Sequence, residues 1–388
     1  MTGQPHPSTP FRVLIFGGGV AALEAVLALR DLAGDRVCVT VVAPGPDFVD
    51  RPMTVREPFA YAPAARYDLA ALVADAVGAY VADGLAWVDP VTRVAHTSAG
   101  RALPYDALVI AVGARIYKSF PHAVTIDDRI LDDLLHGLVQ DIEGGYVHDV
   151  AFVVPERMAW PLPIYELALM TAERAYDAGA RLKITLITPE GAPLEVFGSG
   201  ASEELTRLLD EAGIAVLTAA RAAVPNSRRV ELGRHRDALD VDRVIALPEL
   251  VGPAVRGLPG GAHGFLPIDP YCRVTGVDRV FAAGDACDYP IKHGGVAAQQ
   301  ADAVAAVIAQ LAGADVTPQP LRPEIHGMLL TGQRPRFLSA RAAGAHGFHS
   351  EVSDVPTWSP ATKVSSRYLA PFLQEHDKAA TAQHRTAP

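Results

Sequence analysis

The most constraining feature of the sequence is a glycine-rich turn, Gly17-Gly18-Gly19-Val20-Ala21-Ala22, between the apolar run 12–16 and a segment of helical periodicity. In such a turn, Gly17 permits the tight bend and Gly19 lets the backbone approach a pyrophosphate. The small Ala22 lets the helix pack against the strand. The turn therefore predicts a dinucleotide site with phosphates at the helix N-terminus.

Two βαβ units can be recognised. The first is completed by the β-branched run 37–43, which ends at Ala43, where many dinucleotide folds have an acidic residue. The second consists of the apolar run 150–154, the helical segment 165–179 and the run 183–188. This duplication predicts an α/β protein with two Rossmann-like dinucleotide-binding domains.

Composition excludes several classes of function. The net charge of −10 and the absence of Lys/Arg runs argue against nucleic-acid binding. The three cysteines, Cys38, Cys272 and Cys287, have neither disulfide-framework nor zinc-site spacing. No stretch approaches the roughly 18 apolar residues of a membrane span. We therefore expect a cytoplasmic protein without a transmembrane segment, and leave weak peripheral membrane contact open.

Two further motifs place small residues at strand ends. The segment 105–115 carries Ala111 and Gly113 after an apolar strand, and 280–286 ends its strand in Gly284-Asp285. Small residues let the backbone lie against a cofactor, and a carboxylate can accept hydrogen bonds from ribityl hydroxyls. Each motif alone is weakly specific, and their order along the chain carries the information.

Together these motifs resemble the FAD-dependent pyridine nucleotide-disulfide oxidoreductase superfamily, and within it the sulfide:quinone oxidoreductase and type II NADH dehydrogenase branch. The resemblance covers residues 11–311, with further similarity at 358–364 and 367–373. It implies a glutathione reductase-like fold with the second domain inserted in the first, and FAD as cofactor. The residues it assigns to FAD binding are Gly17, Gly19, Ala22, Ala43, Arg51, Pro52, Ala111, Gly113, Gly284, Asp285, Gly295 and Val296.

The predicted domain boundaries follow from this arrangement. Residues 1–115 and 262–320 form the FAD-binding domain, and residues 116–261 a second, degenerate NAD(P)-binding-like domain. Residues 321–388 form a C-terminal segment, Pro-rich and irregular after Pro318, with a polar tail after His376 that we expect to be mobile.

Three residues are candidates for catalysis. The resemblance points a helix beginning near Ala297 at the flavin pyrimidine ring, where Lys292 would help to stabilise the anionic reduced flavin and raise its potential. Gln299, in the same helix, is a polar group for the acceptor. Trp160 is expected to stack near the flavin or a substrate. The alternatives are a solvated loop lysine and an aromatic residue that only packs.

The sequence departs from the family at two sites. The loop 155–163 contains three prolines, Glu156 and no glycine, so we do not expect a pyridine nucleotide to bind there in the usual way. Family redox cysteines are replaced by Trp160 in this loop and are missing from 327–335. Polysulfide chemistry on a cysteine pair is therefore not expected.

The sequence thus predicts an FAD-dependent oxidoreductase that moves two electrons from an unidentified small-molecule donor to a quinone or similar acceptor without catalytic cysteines. Two alternatives stay open. One is an NAD(P)H-dependent FAD reductase, and the other is a non-catalytic FAD-binding partner or assembly protein.

Overall fold

The fold is given by a computed structural model that describes residues 10–233, 237–342 and 348–386. Its strands are β1 Phe11–Phe16, β2 Val37–Ala43, β3 Asp47–Val49, β4 Arg66–Asp68, β5 Ala79–Ala82, β6 Leu85–Asp89, β7 Val94–Thr97, β8 Ala102–Pro104, β9 Ala107–Ile110, β10 Arg115–Tyr117, β11 Val124–Thr125, β12 Asp149–Val153, β13 Lys183–Ile187, β14 Ala215–Leu217, β15 Ala222–Asn226, β16 Arg229–Leu232, β17 Asp237–Asp240, β18 Arg243–Ala246, β19 Glu249–Val251, β20 Val280–Ala282, β21 Glu324–Leu329, β22 Arg336–Ala342 and β23 Phe348–Ser353. Its α-helices are α1 Val20–Ala33, α2 Leu69–Asp75, α3 Leu131–Glu143, α4 Leu162–Asp177, α5 Ser199–Glu211, α6 Gly294–Leu311 and α7 Leu369–Thr386.

Two parallel five-stranded sheets organise the molecule. The first has the order β20-β9-β1-β2-β5 and the second the order β11-β18-β12-β13-β14. The strands of the second sheet lie in sequence between β9 and β20 of the first. This confirms the predicted α/β class with two Rossmann-like units; the domain boundaries themselves stay a prediction.

Helices α1 and α6 pack against each other beside the first sheet. Their contact is made of small buried residues, which allow two helices to approach closely. These residues include Ala21, Ala22, Ala25 and Ala28 of α1 and Ala298, Ala301 and Ala305 of α6. The alanine-rich character of both segments is therefore a packing requirement, and it holds the N-termini of α1 and α6 at one end of the sheet.

The C-terminal segment differs from the sequence-based expectation. Strands β21, β22 and β23 form an antiparallel sheet where an irregular chain was predicted after Pro318, and that prediction is wrong. The polar tail after His376, expected to be mobile, continues α7 as far as Thr386. The first residue of this helix, Leu369, is buried against the first core.

A buried carboxylate of α1 anchors α7. The two oxygens of Glu24 accept hydrogen bonds from the backbone N–H groups of Tyr368 and Leu369, at 2.8 and 2.6 Å. Nearby on α6, burial and the charge of Glu24 raise the pKa of Asp302 to about 7, and Arg367 opposes this shift. The backbone at the start of α7 is thus held by Glu24, and Asp302 lies within electrostatic range of Glu24.

We expect Asp302→Asn to stabilise the protein at high pH and to have little effect at low pH. The folded state holds the Asp302 proton more tightly than the unfolded state, so the stability contributed by this group is lost as the pH rises towards about 7. The variant should gain roughly 2 kcal/mol at pH 8 relative to pH 5. Urea unfolding at both pH values measures this, and an equal effect at both would contradict it.

No helix among the described residues is long and apolar enough to cross a membrane.

Candidate cofactor site

The glycine-rich turn after β1 has one glycine that the fold needs and one that faces open space. Gly17 has a φ of +132°, and a Cβ there would lie 2.1 Å from the carbonyl oxygen of Ala111. Gly19 is the N-cap of α1, and a Cβ there would meet no atom within 4 Å. The backbone at Gly19 is therefore open to a bound group, as a phosphate at a helix N-terminus requires.

The carboxyl ends of β9 and β20 continue this opening. Gly113 has a φ of +74° and open space at its Cβ position. Gly284 also has a positive φ, and its N–H donates to Oε1 of Gln300 at 2.7 Å. Since open α/β sheets bind ligands outside the carboxyl ends of their strands, we call the space bounded by Gly19, Gly113, Gly284 and Asp285 the cofactor groove.

At the end of β2, where many dinucleotide folds have an acidic residue, the backbone of Ala43 is bonded to the residues of the next strand and turn. The carbonyl oxygen of Ala43 accepts hydrogen bonds from the hydroxyl of Tyr80 and the N–H of Asp83, both at 3.1 Å. The Tyr80 hydroxyl also contacts the carbonyl of Gly45, at 2.9 Å. Ala22 is fully buried in α1 beside this region, in keeping with its predicted packing role.

Lys292 is buried beneath the Gly284-Asp285 turn. Its ammonium donates to the backbone carbonyls of Cys287 and Asp285, the latter at 3.3 Å, and lies 3.9 Å from the ring centroid of Phe265. Burial lowers the pKa of Lys292, and the nearby Asp285 opposes this. The alternative of a solvated loop lysine is wrong, because this side chain is 8% exposed and holds the turn in place.

The N-terminus of α6 is capped by His293. Its Nδ1 accepts a hydrogen bond from the N–H of Gly295 at 3.2 Å, so the ring proton lies on Nε2. Burial lowers the pKa of His293 to about 3, with further lowering by His326 and Lys363. The imidazole is therefore a neutral cap at neutral pH. Gly295 and Val296, predicted to contact a cofactor, are both buried in the first turn.

The two glutamines of α6 point in different directions. The amide of Gln299 donates to the carbonyl of Glu324 at 2.8 Å and accepts from its N–H at 2.9 Å. Both ends of Gln299 are thus paired with β21, which assigns it a structural task. Gln300 is buried and holds Gly284. The sequence did not single out this contact, although buried polar side chains commonly serve such turns.

Trp160 packs inside the protein. Its ring lies 4.3 Å from that of His293 and 5.5 Å from that of Phe197. A Cβ at Gly327 would lie 2.6 Å from Phe197, so this strand approaches the same cluster. Trp160 therefore lies at the α6 N-terminus within an aromatic cluster, and its stacking near a flavin or substrate stays a prediction.

Arg51 and Pro52 begin a 3-10 helix, Arg51–Phe59, directly after β3. The Nη1 atom of Arg51 lies 3.5 Å from Oδ1 of Asp128, in the loop between β11 and α3. Arg51 therefore contacts a residue that is distant from it in sequence.

Comparison with known proteins agrees with this geometry. Residues 166–301 match the family model described as pyridine nucleotide-disulphide oxidoreductase. This match covers less than half of the chain and supports the resemblance seen in its sequence. A comparison with curated proteins found no match.

Solved structures share the fold of this chain. The sulfide:quinone oxidoreductase of Aquifex aeolicus superposes with a TM-score of 0.79 at 19% identity, over 89% of this chain and 87% of that one. A ferredoxin reductase from Rhodopseudomonas palustris gives 0.66 at 17%, over 86% and 83%. An NAD-dependent persulfide reductase from A. fulgidus gives 0.63 at 17%, over 86% and 64%. At these identities the similarity concerns the fold alone.

In the second sheet of this chain, the acidic residue after β13 is engaged by other side chains. Glu190 follows β13, where an acidic residue of a Rossmann unit accepts from ribose hydroxyls. Its Oε2 instead accepts from the hydroxyl of the fully buried Tyr165 at 2.6 Å and from Thr188 at 2.9 Å. In the loop before α4, Arg157 forms a salt bridge with Glu249.

The described cysteines do not form a reactive pair on the surface. Cys272 and Cys287 are fully buried, and burial raises the pKa of both thiols, that of Cys272 to about 12. Thiols in such surroundings stay protonated and are poor nucleophiles. Within the described part of the chain, no cluster of His, Cys, Asp or Glu has the arrangement of a metal site.

A cleft of about 780 Å³ lies between the β3–β4 hairpin and α7. Its polar lining includes Asp50, which directly precedes Arg51, together with Tyr67 and Thr362, and Leu373 contributes apolar surface. The Tyr67 hydroxyl donates to Asp377 at 3.1 Å. Burial raises the pKa of Asp50, and the positive charges of Lys363 and Arg56 oppose it.

Proposed function

We propose that this protein is an FAD-dependent oxidoreductase, related in function to sulfide:quinone oxidoreductases, that transfers two electrons from a non-nicotinamide donor to a quinone or similar small acceptor without catalytic cysteines. The observation that carries the proposal is the open groove at the carboxyl ends of β1, β9 and β20. It combines backbone exposed at Gly19 with a partly exposed acidic residue, Asp285.

The residues present fit FAD. The N-terminus of α1 offers N–H groups and a positive dipole end to the pyrophosphate, beside the open position of Gly19. Asp285 is placed to accept from ribityl hydroxyls, and Gly113 leaves its side of the groove free. When bound, FAD supplies the two-electron chemistry that the protein's own side chains lack.

The second domain supports a donor other than NAD(P)H. A nucleotide bound there in the usual way needs a glycine turn and a free acid after β13. The chain offers prolines in the turn, and Glu190 is engaged by Tyr165 and Thr188. Releasing Glu190 would leave a buried phenol without its partner, which adds a cost to nucleotide binding.

The interior also supports a reaction without cysteine. Trp160 and Phe197 fill the region in which the sequence comparison placed one family cysteine. The buried thiols of Cys272 and Cys287 are held protonated. Direct transfer between the cofactor and a small molecule needs neither thiol.

The cleft beside α7 supports a small-molecule acceptor. It joins the loop at Asp50 to apolar surface at Leu373, and it is large enough for a quinone ring. Tyr67 and Thr362 add polar groups to its lining.

An anaerobic visible spectrum of the purified protein, before and after addition of NADH and NADPH, tests the proposal. We expect an oxidised flavin band that ignores both nucleotides, and whose photoreduced form is reoxidised by a short-chain quinone. Bleaching by NADH would favour a nicotinamide-dependent reductase. Flavin that no acceptor reoxidises would indicate a non-catalytic partner protein, and the absence of flavin would end the proposal.

We expect Gly19→Val to abolish FAD binding while the protein stays folded. The backbone at Gly19, with φ −95° and ψ −166°, suits any residue, and the new side chain would enter open space. It would occupy the position that a pyrophosphate needs. Flavin content after reconstitution and circular dichroism measure the two effects separately; full flavin content would place the phosphates elsewhere.

A further inference from the structure

We infer that Gln300 is a positioning residue for FAD, because its side chain fixes the backbone turn that carries the Asp285 carboxylate. This inference rests on the proposed function, in which that carboxylate accepts hydrogen bonds from ribityl hydroxyls. Gln300 itself lies in α6, outside the strand-end motif that carries Asp285, and acts on the cofactor through the turn.

The turn lies where two helices begin. A single turn of 3-10 helix starts at Gly284, shortly after β20. Gly284 has a φ of +76°, and a Cβ there would lie 3.4 Å from the Cβ of Ala21 and 3.5 Å from the Cβ of Ala297. These alanines belong to the first turns of α1 and α6. Asp285 therefore lies at the same end of the first sheet as Gly19, the N-cap of α1.

Main-chain hydrogen bonds hold the backbone on either side of the turn. The N–H of Ala283 donates to the carbonyl of Ile110 in β9 at 3.1 Å, and the carbonyl of Ala286 accepts from the N–H of Leu266 at 2.9 Å. The N–H of Gly284 lies between these two points. As the first N–H of a helical turn, it has no acceptor within the turn, so its hydrogen bond has to come from elsewhere.

Gln300 supplies that acceptor. Its Oε1 lies 2.7 Å from the nitrogen of Gly284, which it reaches from the second turn of α6. The side chain belongs to a residue that is 1% exposed, so water does not compete for the bond. Because a backbone N–H can only donate, the amide must turn its oxygen towards the turn.

The Asp285 side chain is left for a ligand. Lys292 holds the carbonyl side of the turn, since its ammonium donates to the carbonyl oxygens of Asp285 and Cys287. With Gln300 on the N–H of Gly284, buried side chains restrain the backbone both before and after Asp285. Asp285 is partly exposed, and in the described part of the chain no hydrogen bond to its carboxylate is found.

Loss of the Gln300 oxygen would move this carboxylate. The Gly284 N–H would be buried without an acceptor, and the turn would shift to satisfy it. A glycine resists such a shift little, because many backbone conformations are open to it. The Asp285 carboxylate would move with the backbone, and its hydrogen bonds to ribityl hydroxyls weaken steeply with poor geometry. The effect should therefore appear in the affinity for FAD.

The test is the dissociation constant of FAD, measured by titrating the apoprotein and following flavin fluorescence. We expect Gln300→Met to weaken FAD binding about tenfold, because methionine fills a similar volume without a strong acceptor. In an Asp285→Ala background, the same substitution should change the dissociation constant by less than about twofold, since Gln300 acts through Asp285.

Thr97→Val is the control that separates positioning from general stability. The hydroxyl oxygen of Thr97, a residue 3% exposed, accepts from the N–H of Arg101 at 3.1 Å where β7 connects to β8. The variant thus removes one side-chain acceptor of a backbone N–H without touching the turn. Its urea unfolding should shift as that of Gln300→Met does, while its FAD dissociation constant stays within about twofold of the unmodified value.

Gln300→Glu is a second variant of the same position. It keeps an acceptor oxygen of the same reach and should bind FAD more tightly than Gln300→Met.

Each failure has a distinct meaning. An unmodified protein that binds no FAD overturns the proposed function. If the unmodified protein binds FAD, an unchanged dissociation constant in Gln300→Met overturns the positioning role alone. The same holds for a tenfold loss in the Asp285→Ala background, for an equal loss in Thr97→Val, and for Gln300→Glu binding no better than Gln300→Met.

Discussion

Lys363→Met is expected to destabilise the protein by about 3–5 kcal/mol, because it leaves a buried carboxylate without its counter-charge. The Nζ of Lys363 lies 2.7 Å from Oε2 of Glu166, and the two side chains are 5% and 0% exposed. The other oxygen of Glu166 accepts from the N–H of Leu330 at 2.9 Å. The pair therefore ties α4 to the C-terminal segment.

The pH dependence of the Lys363→Met effect has a definite sign. Burial raises the pKa of Glu166, and Lys363 is the main influence opposing it. Without the lysine, the folded protein binds the Glu166 proton more tightly than the unfolded chain, so stability falls as the pH rises. Urea unfolding at pH 5 and pH 8 should therefore show the larger loss at pH 8.

The control for this experiment is the double variant Glu166→Leu/Lys363→Met. Replacing both charges by apolar groups of similar volume removes the unpaired carboxylate and should recover most of the lost stability. A single variant with unchanged stability would mean that water or another cation compensates Glu166. A double variant as unstable as the single one would mean that the pair matters through its packing.

Much of the fold could be predicted because its signals are local. The predicted run 37–43 coincides with β2, and the predicted run 183–188 agrees with β13 within one residue. Such segments combine strong periodicity with clear turn residues at both ends. The C-terminal sheet was missed, because tertiary packing stabilises it in a segment of unfavourable composition.

Within the candidate site, too, some residues could be predicted from the sequence and others could not. Gly17 and Gly19 could be found because a glycine-rich turn between a strand and a helix has a fixed spacing. Asp128, Tyr165 and Gln300 could not, because each depends on a partner distant in sequence. Asp128 meets Arg51 only when the 3-10 helix Arg51–Phe59 packs against α3. One sequence without its contacts gives such a residue no distinguishing signal.

In the second domain, a recognisable βαβ pattern does not by itself establish nucleotide binding. Its βαβ plan was recognisable, but its capacity for nucleotide depends on where individual side chains lie. The Tyr165 hydroxyl donates to Glu190, and Arg157 forms a salt bridge with Glu249. Both charged side chains therefore have partners within the protein. The same domain also places Trp160 against His293 at the N-terminus of α6. The domain thus supports the proposed site by packing.

Gly17→Ala is expected to prevent stable folding, with a loss of at least about 4 kcal/mol. The new Cβ would lie 2.1 Å from the carbonyl oxygen of Ala111, a backbone atom fixed by the hydrogen-bonded register of β1 and β9. The φ of +132° adds strain for any residue with a side chain. Neither neighbour can move without separating the central strands of the first sheet.

Gly19→Ala is the matched control, because its Cβ would meet nothing within 4 Å. Chemical denaturation of both variants without FAD should show a severe loss for Gly17→Ala and almost none for Gly19→Ala. With FAD present, both should bind it poorly, one because its turn is broken and the other because the approach of the phosphates is crowded. A stable Gly17→Ala protein would show that β1 and β9 can separate at this end, and the groove would then be adaptable where we describe it as preformed.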